Sequence, residues 1–272
     1  MKKNIAVLFL LFILTALMYG DEFYDRIDRL NFDGKYEDAL HDLEKKYAEN
    51  KSDLVLAWFI ARECIFISEL KADKKEKLDL YEKGITYTKP YLDKEYDAPE
   101  QKSSLIYWYT INYASKIRDK GIFAGREGMN IIPEVFKLID KCLEIYPQSS
   151  DAYFFRGKFY GEIPGFLGGS KIRMEEDFAS SIKYAGEDER IFLYSEISLS
   201  LFKRNWNIAN KLKEAKKAGI PEENLLSTDK SDKDLAIYML NDIIKKLNAK
   251  KDMSFREKNI LADALKSIKE NT

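Results

Sequence analysis

The sequence is poor in the residues that most catalytic and metal sites need. It contains one histidine, His41, and two cysteines, Cys64 and Cys142, among 272 residues. One histidine excludes a metal centre built from several imidazoles, and two cysteines cannot form a four-cysteine zinc site or a dense disulfide framework. We therefore predict no catalytic residue, no metal site and no cofactor, and expect apolar burial to stabilise the fold.

A strong excess of one charge is also missing. Lys+Arg number 45 and Asp+Glu number 46, which gives a formal net charge of −1. Proteins that bind nucleic acid through its phosphates need a basic excess, so no nucleic-acid partner is predicted. Glycine and proline are scarce, at 13 and 6 residues. This scarcity favours a helical chain, because strands need more turn residues.

The first twenty residues contain a long apolar run. Lys2 and Lys3 precede it, and the small residue Gly20 ends it. A basic start, an apolar run and a small residue are typical of a secretory signal peptide. An uncleaved membrane anchor is the alternative, although the run of about 16 residues is shorter than the about 20 that a span needs. We expect cleavage after Gly20 and an exported protein, periplasmic or secreted, with no stable membrane span.

Beyond residue 20, apolar residues recur at steps of three and four, which is the period of an α-helix. The predicted fold class is therefore all-α. The predicted helices span about 21–31, 35–49, 52–70, 73–92, 98–119, 129–146, 150–161, 170–184, 187–203, 205–218, 229–249 and 253–270.

Two stretches repeat the pattern of a helical hairpin. In the first, the turn residue Gly34 precedes a helix with Ala39 and Leu43 on one face. In the second, a proline ends one helix, an aromatic residue opens the next, and an internal glycine lets two helices approach closely. Its residues are Pro147, Tyr153, Gly157, Tyr160, Gly169 and Phe178.

The second stretch resembles the tetratricopeptide repeat (TPR), a helix-turn-helix unit of 34 residues. Its residues occupy the characteristic TPR places in order, whereas Met174, Ser181 and Arg156 depart from the pattern. From about residue 98 to 203, the chain is also similar to the exported TPR-like family associated with TRAP-type transporters and to the TPR-like domain of microtubule-dynamics regulators. The segments that carry this likeness are Tyr107-Trp108-Tyr109, Leu143-Glu144-Ile145-Tyr146-Pro147 and Pro164-Gly165-Phe166-Leu167-Gly168-Gly169.

The resemblance implies a TPR-like α-solenoid of antiparallel helical hairpins, and a scaffold for protein–protein interaction rather than an enzyme. Its implied partner is a periplasmic solute-binding or transport component. Members of the transporter-associated family are typically lipoproteins, whereas this chain has no cysteine near residue 20 that could carry a lipid. The chain then divides into a signal peptide at 1–20, a TPR-like repeat domain at 21–228 and C-terminal capping helices at 229–272.

The chain has more aromatic residues than a helical core requires, and we expect some of them to line a concave binding surface. The aromatic residues concerned are Tyr107, Trp108, Tyr109, Tyr113, Tyr153, Phe154, Phe155, Phe159 and Tyr160. The candidate binding residues are Tyr109, Tyr113, Tyr153, Phe166, Gly168 and Gly169. The glycine-rich loop is interpreted as a structural turn that Ser170 caps, with anion binding as the alternative.

Two further functions stay open at this point. The first is a carrier of a small apolar ligand or lipid, held between hairpins by Tyr109, Phe155, Phe159 and Phe166. The second is an envelope hydrolase, which would need Glu162 buried with a raised pKa.

Four other features are interpreted as structural. Cys64 and Cys142 are expected to be buried thiols, with a disulfide between them as the alternative. The run Glu175-Glu176-Asp177 is interpreted as the polar face of a helix, and His41 as a solvated or packing residue.

Overall fold

The computed structural model describes residues 22–121 and 128–271. Within them the chain forms twelve α-helices, three short 3₁₀ turns and no strand, which confirms the all-α class. The predicted signal peptide lies outside the described residues. The helices are α1 (Glu22–Phe32), α2 (Tyr36–Glu49), α3 (Leu54–Leu70), α4 (Lys74–Thr88), α5 (Pro99–Asp119), α6 (Gly128–Ile145), α7 (Ser150–Glu162), α8 (Lys171–Tyr184), α9 (Glu187–Arg204), α10 (Ile208–Ala218), α11 (Asp232–Ala249) and α12 (Phe255–Asn271).

All twelve predicted helices are present, and the local chemistry of the chain explains where two of them differ from the prediction. Helix α4 ends at Thr88 and is followed by a 3₁₀ turn at Lys89–Tyr91, because Pro90 has no amide hydrogen to continue an α-helix. Helix α10 begins at Ile208, later than predicted, because the Asn207 side chain caps it.

Helices that follow one another in sequence pack side by side, from α1 through to α8. Helix α3 also contacts α5, α9 packs on α11, and α12 packs on α9 and α11. Short loops between packed helices make neighbours antiparallel, as in stacked hairpins. Helix α12 additionally contacts α1, so the last helix of the chain meets the first. The superhelical TPR arrangement itself stays a prediction.

Close packing of α7 on α8 depends on a glycine, as the sequence indicated. A Cβ built on Gly157 would lie 2.8 Å from a ring carbon of Phe178 and 3.1 Å from the backbone oxygen of Met174. Both distances are shorter than an ordinary carbon contact, so a larger residue would force the helices apart. Phe178 is fully buried at this crossing.

A buried network of four charged side chains joins α8, α9, α10 and α11. Arg204 donates to both carboxylate oxygens of Asp232, at 2.7 and 2.6 Å, and to Glu175 at 2.5 Å. Lys211 lies 3.3 Å from Glu175 and 3.5 Å from Asp232. The sequence-based interpretation of Glu175 as surface is therefore wrong. Asp177 is buried as well and pairs with Arg156 at 2.8 Å.

Both cysteines are free and buried, as expected, and the disulfide alternative is not realised. Burial raises the pKa of Cys64 and of Cys142 to about 12. His41 is exposed to solvent. These residues therefore offer no reactive thiol or buried imidazole for catalysis.

Candidate functional site

Two of the predicted binding residues lie together on α5, Tyr109 buried and Tyr113 half-buried. Tyr109 on α5 is 8% exposed, and its ring stacks on that of Tyr113 with centroids 5.9 Å apart. The Tyr113 hydroxyl donates to Glu134 at 3.0 Å. Most of the Tyr109 surface is therefore used in packing, which leaves little of it for a ligand.

Tyr153 belongs to a different contact, between α7 and α8. Its ring stacks on Tyr184 with centroids 5.7 Å apart, and the Arg156 guanidinium lies 5.4 Å from its centroid. No ring contact joins Tyr153 to Tyr109 in the part of the chain that the structure describes. These tyrosines therefore belong to two separate contacts, and a binding surface common to them stays a prediction.

The glycine-rich loop is a structural turn. A Cβ on Gly169 would lie 1.7 Å from the backbone oxygen of Ile163, so no other residue fits there. Gly168 has a φ of +97°, which favours glycine. Ser170 caps α8 by accepting from the amide of Arg173 at 3.4 Å, which confirms the predicted cap.

The same loop is poorly suited to bind an anion. Its amides already donate to backbone oxygens, that of Leu167 to Pro164 at 2.9 Å and that of Gly168 to Gly165 at 3.1 Å. The amides of Gly169 and Ser170 donate at 3.2 and 2.9 Å. An anion in this loop would need free amides, and these four are already used, so the geometry favours the structural turn.

An outer groove of about 650 Å³ lies between this loop and α6. Its apolar lining includes Phe136, Tyr160, Leu167 and Gly168. Phe166 projects from the loop next to the groove and is 84% exposed. The predicted carrier cleft is not formed as expected, because Phe159 is 4% exposed in the core whereas Phe166 is at the surface.

Glu162 does not meet the requirement of the hydrolase alternative. The alternative needed a buried carboxylate facing a cleft, whereas Glu162 is exposed at the end of α7. Among residues 22–121 and 128–271, no group of three or more His, Cys, Asp or Glu side chains could hold a metal ion. No helix of this described part has the length and apolar character needed to cross a membrane.

A second candidate is a cluster of aromatic side chains on the alternate helices α3, α5, α7 and α9, which Arg256 of α12 faces, and we call it the inner recess. Its aromatic wall is half-buried, except for Tyr107, which is 8% exposed. The rings are Phe66 from α3, Tyr107 and Trp108 from α5, Phe155 from α7 and Phe192 from α9. Neighbouring rings are in edge contact, with centroids 5.9 Å apart for Phe66 and Trp108 and 6.2 Å for Tyr107 and Phe155.

Arg256 of α12 lies between the two sides of this recess. Its guanidinium carbon is 4.0 Å from the centroid of the Phe192 ring and 5.0 Å from that of Phe66. Distances below about 6 Å give attractive cation–π contacts. The side chain therefore joins α3 to α9 across the recess.

A close contact between α12 and the first hairpin brings Arg256 into place. The Phe255 ring packs against Gly34, where an added Cβ would lie 2.6 Å from the ring. Gly34 also has a φ of +77°, so both the turn and the contact require glycine. The Phe255 ring is 6.3 Å from that of Tyr36. This contact holds the start of α12 against the first hairpin, beside the recess.

Two carboxylates of the recess, those of Asp151 and Glu69, contact solvent, yet the protein around them desolvates them in part. Asp151 is exposed, yet burial raises its pKa to about 7, with Glu189 raising it further and Arg256 opposing the shift. Burial likewise raises the pKa of the exposed Glu69, against an opposing effect of Arg256. A carboxylate that water reaches, but that nearby protein atoms desolvate, lies on a concave part of the surface.

Several polar groups of the recess lack a hydrogen-bond or ion-pair partner among the described residues, although Arg256 makes its two cation–π contacts. Asp151, Glu69 and Arg256 make no hydrogen bond or ion pair with the described residues. The Tyr107 hydroxyl also makes no hydrogen bond there, and burial raises its pKa well above the ordinary value, with Asp151 as the next cause. These groups are available to a bound molecule.

Sequence reasoning found part of this site. The aromatic excess pointed to Tyr107, Trp108 and Phe155, whereas Phe66, Phe192 and Arg256 were missed. No protein-family model matches the chain, and no curated protein matches it in sequence. The TPR resemblance therefore stays a prediction.

Proposed function

We propose that this chain is an exported, non-enzymatic, TPR-like binding protein whose inner recess holds a small ligand. The observation that carries the proposal is the recess itself, where aromatic rings from four helices meet charged groups that make no ion pair with the described residues. Ligand sites combine apolar walls with a few polar groups that converge on one space. A purely structural interface would pair such charges or exclude them.

The width of the recess supports a small ligand over a folded partner. Because one guanidinium contacts both rings, the centroids of Phe66 and Phe192 lie at most about 9 Å apart and the Arg256 side chain occupies the space between them. A helix with its side chains is about 10 Å across and does not fit there. The space therefore suits a small molecule or one extended side chain. This is the carrier function of the sequence analysis, moved from the expected cleft to the inner recess.

A protein partner is the second candidate, and the exposed Phe166 is the observation that favours it. An aromatic residue that is 84% exposed beside an apolar groove is typical of an interface anchor. The resemblance to the transporter-associated family suggests a periplasmic solute-binding or transport component. The two functions use different surfaces, so one protein can have both.

Two variants separate these functions. Trp108→Ala removes a ring from the recess, and Phe166→Ala removes the exposed ring of the outer groove, so each is the control for the other. Native mass spectrometry of the protein purified from its own cells would detect a bound small molecule. We expect the ligand in the wild type and in Phe166→Ala, and its loss in Trp108→Ala.

Capture from an envelope extract tests the partner. We expect Phe166→Ala to lose a solute-binding or transport component that Trp108→Ala retains. Circular dichroism checks that both variants fold, and Phe155→Leu replaces Trp108→Ala if that variant does not. A ligand retained by a folded recess variant would contradict the proposed function.

A further inference from the structure

The charges that face the recess are unbalanced. The pKa of Asp151 and that of Glu69 both respond to one guanidinium, that of Arg256, and the pKa of Asp151 also responds to a third carboxylate, that of Glu189. The nearby charges cancel within pairs, because Arg62 lies 2.7 Å from Glu63 and Lys158 lies 2.7 Å from Glu196. The recess is therefore acidic overall.

The aromatic wall is suited to a cation. Arg256 already shows that a guanidinium fits between two of its rings, at 4.0 and 5.0 Å from their centroids. Trp108 stands in the same wall, and no cation of the described residues lies over its ring. Indole gives the strongest cation–π attraction of the aromatic side chains. The rings of Trp108 and Phe155, which Arg256 does not cover, therefore offer a place for the positive group of a ligand.

Asp151 is the natural counter-ion for that group. It makes no ion pair with the described residues, and the charged or titratable groups that face it are Tyr107 from α5, Glu189 from α9 and Arg256 from α12. An anion would instead meet these carboxylates, at a cost in repulsion.

We propose that the inner recess binds an organic cation, an ammonium or guanidinium group on an apolar body, with Asp151 as its counter-ion and Trp108 and Phe155 against the body. This inference rests on the proposed ligand-binding function and specifies the class of ligand. Binding exchanges the proton that Asp151 holds near neutral pH for the cation of the ligand.

Three probes that share one phenyl body test the charge preference. They are phenethylammonium, 2-phenylethanol and 3-phenylpropionate, each titrated into the purified protein by calorimetry. We expect the cation to bind at least about tenfold more tightly than the alcohol, and the carboxylate most weakly.

The variant Asp151→Asn tests the counter-ion. It should weaken binding of the cation by about tenfold and leave binding of the alcohol unchanged. Glu187→Gln is the matched control, since Glu187 is an exposed acid in the first turn of α9, just as Asp151 is in the first turn of α7. This control should bind all three probes as the wild type does.

The pH gives a readout that a purely structural role would not change. With a pKa of about 7, Asp151 is about one tenth ionised at pH 6 and about nine tenths at pH 8. Affinity for phenethylammonium should therefore rise roughly tenfold between these pH values in the wild type, and stay constant in Asp151→Asn.

The outcomes that overturn the inference differ from those that overturn the proposed function. Equal affinity for the cation and the alcohol, or tightest binding of the carboxylate, would refute the cation class while leaving ligand binding in the recess intact. Binding of none of the three probes, with no molecule co-purifying in native mass spectrometry, would refute both.

Discussion

Replacing Arg204 by methionine is expected to destabilise the fold by about 3–5 kcal/mol, because it leaves a buried charge uncompensated. Arg204 and Lys211 balance Glu175 and Asp232, and all four side chains are at most 1% exposed. Without the guanidinium, two carboxylates face Lys211 alone. Methionine retains most of the side-chain volume, so the loss reports charge and hydrogen bonds rather than a cavity.

Urea denaturation followed by circular dichroism measures this loss, and the corresponding decrease in melting temperature is roughly 10 °C. Lys217→Met is the control, because Lys217 is 77% exposed and lies 3.9 Å from Glu214. Exposed pairs contribute little, so this variant should change stability by less than about 0.5 kcal/mol.

A second substitution separates charge from packing. Adding Glu175→Gln to Arg204→Met leaves Asp232 and Lys211 as a balanced pair, so part of the lost stability should return. A loss below about 1 kcal/mol in the single variant, or no recovery in the double variant, would refute the argument that charge balance stabilises this network.

Three further outcomes follow from the structure. Ellman's reagent at pH 8 should detect no thiol in the native protein and two after denaturation, because both cysteines are buried with pKa values of about 12. Rapid labelling of either cysteine in the native protein would contradict this expectation. Gly157→Ala should lower stability by about 1–3 kcal/mol, since its Cβ would lie 2.8 Å from Phe178, whereas the control Gly165→Ala, with open space around it, should not. Asp151→Asn should gain stability relative to the wild type as pH rises from 4 to 7. The folded-state pKa of Asp151 is raised from 3.8 to about 7, so its ionisation opposes folding of the wild type. An equal difference in stability between variant and wild type at pH 5 and at pH 8 would show that Asp151 is well solvated.

The helices could be predicted because their information is local. Apolar periodicity gives each helix its position, and short polar side chains such as Ser149 and Ser170 give its beginning. The roles of Gly157 and Gly169 were also visible, since a glycine in a helix or at a tight turn indicates a close backbone approach. These features depend on neighbours within a few residues.

The site could be predicted only in part, because it depends on contacts between distant segments. The sequence shows that α5 carries four aromatic residues, but not which of them faces the core. Tyr109 was therefore expected on the concave binding surface, whereas Trp108 lies in the inner recess. Glu175 was assigned to the surface because its partner Arg204 is 29 positions away. A carboxylate looks exposed in a sequence until its buried cation is known.

The contact of α12 with the first hairpin joins the two ends of the chain, so local sequence patterns do not reveal it. It bears directly on the kind of ligand that we propose for the recess. Stacked hairpins alone would present Phe66, Trp108 and Phe155 on an open surface, as a scaffold for proteins does. Helix α12 changes this, because Phe255 packs on Gly34 and thereby places Arg256 between α3 and α9. The same contact narrows the space and sets one positive charge among three negative ones. The shape and the charge of the recess therefore have a common origin in the last helix, and both favour a small cationic ligand over a protein surface.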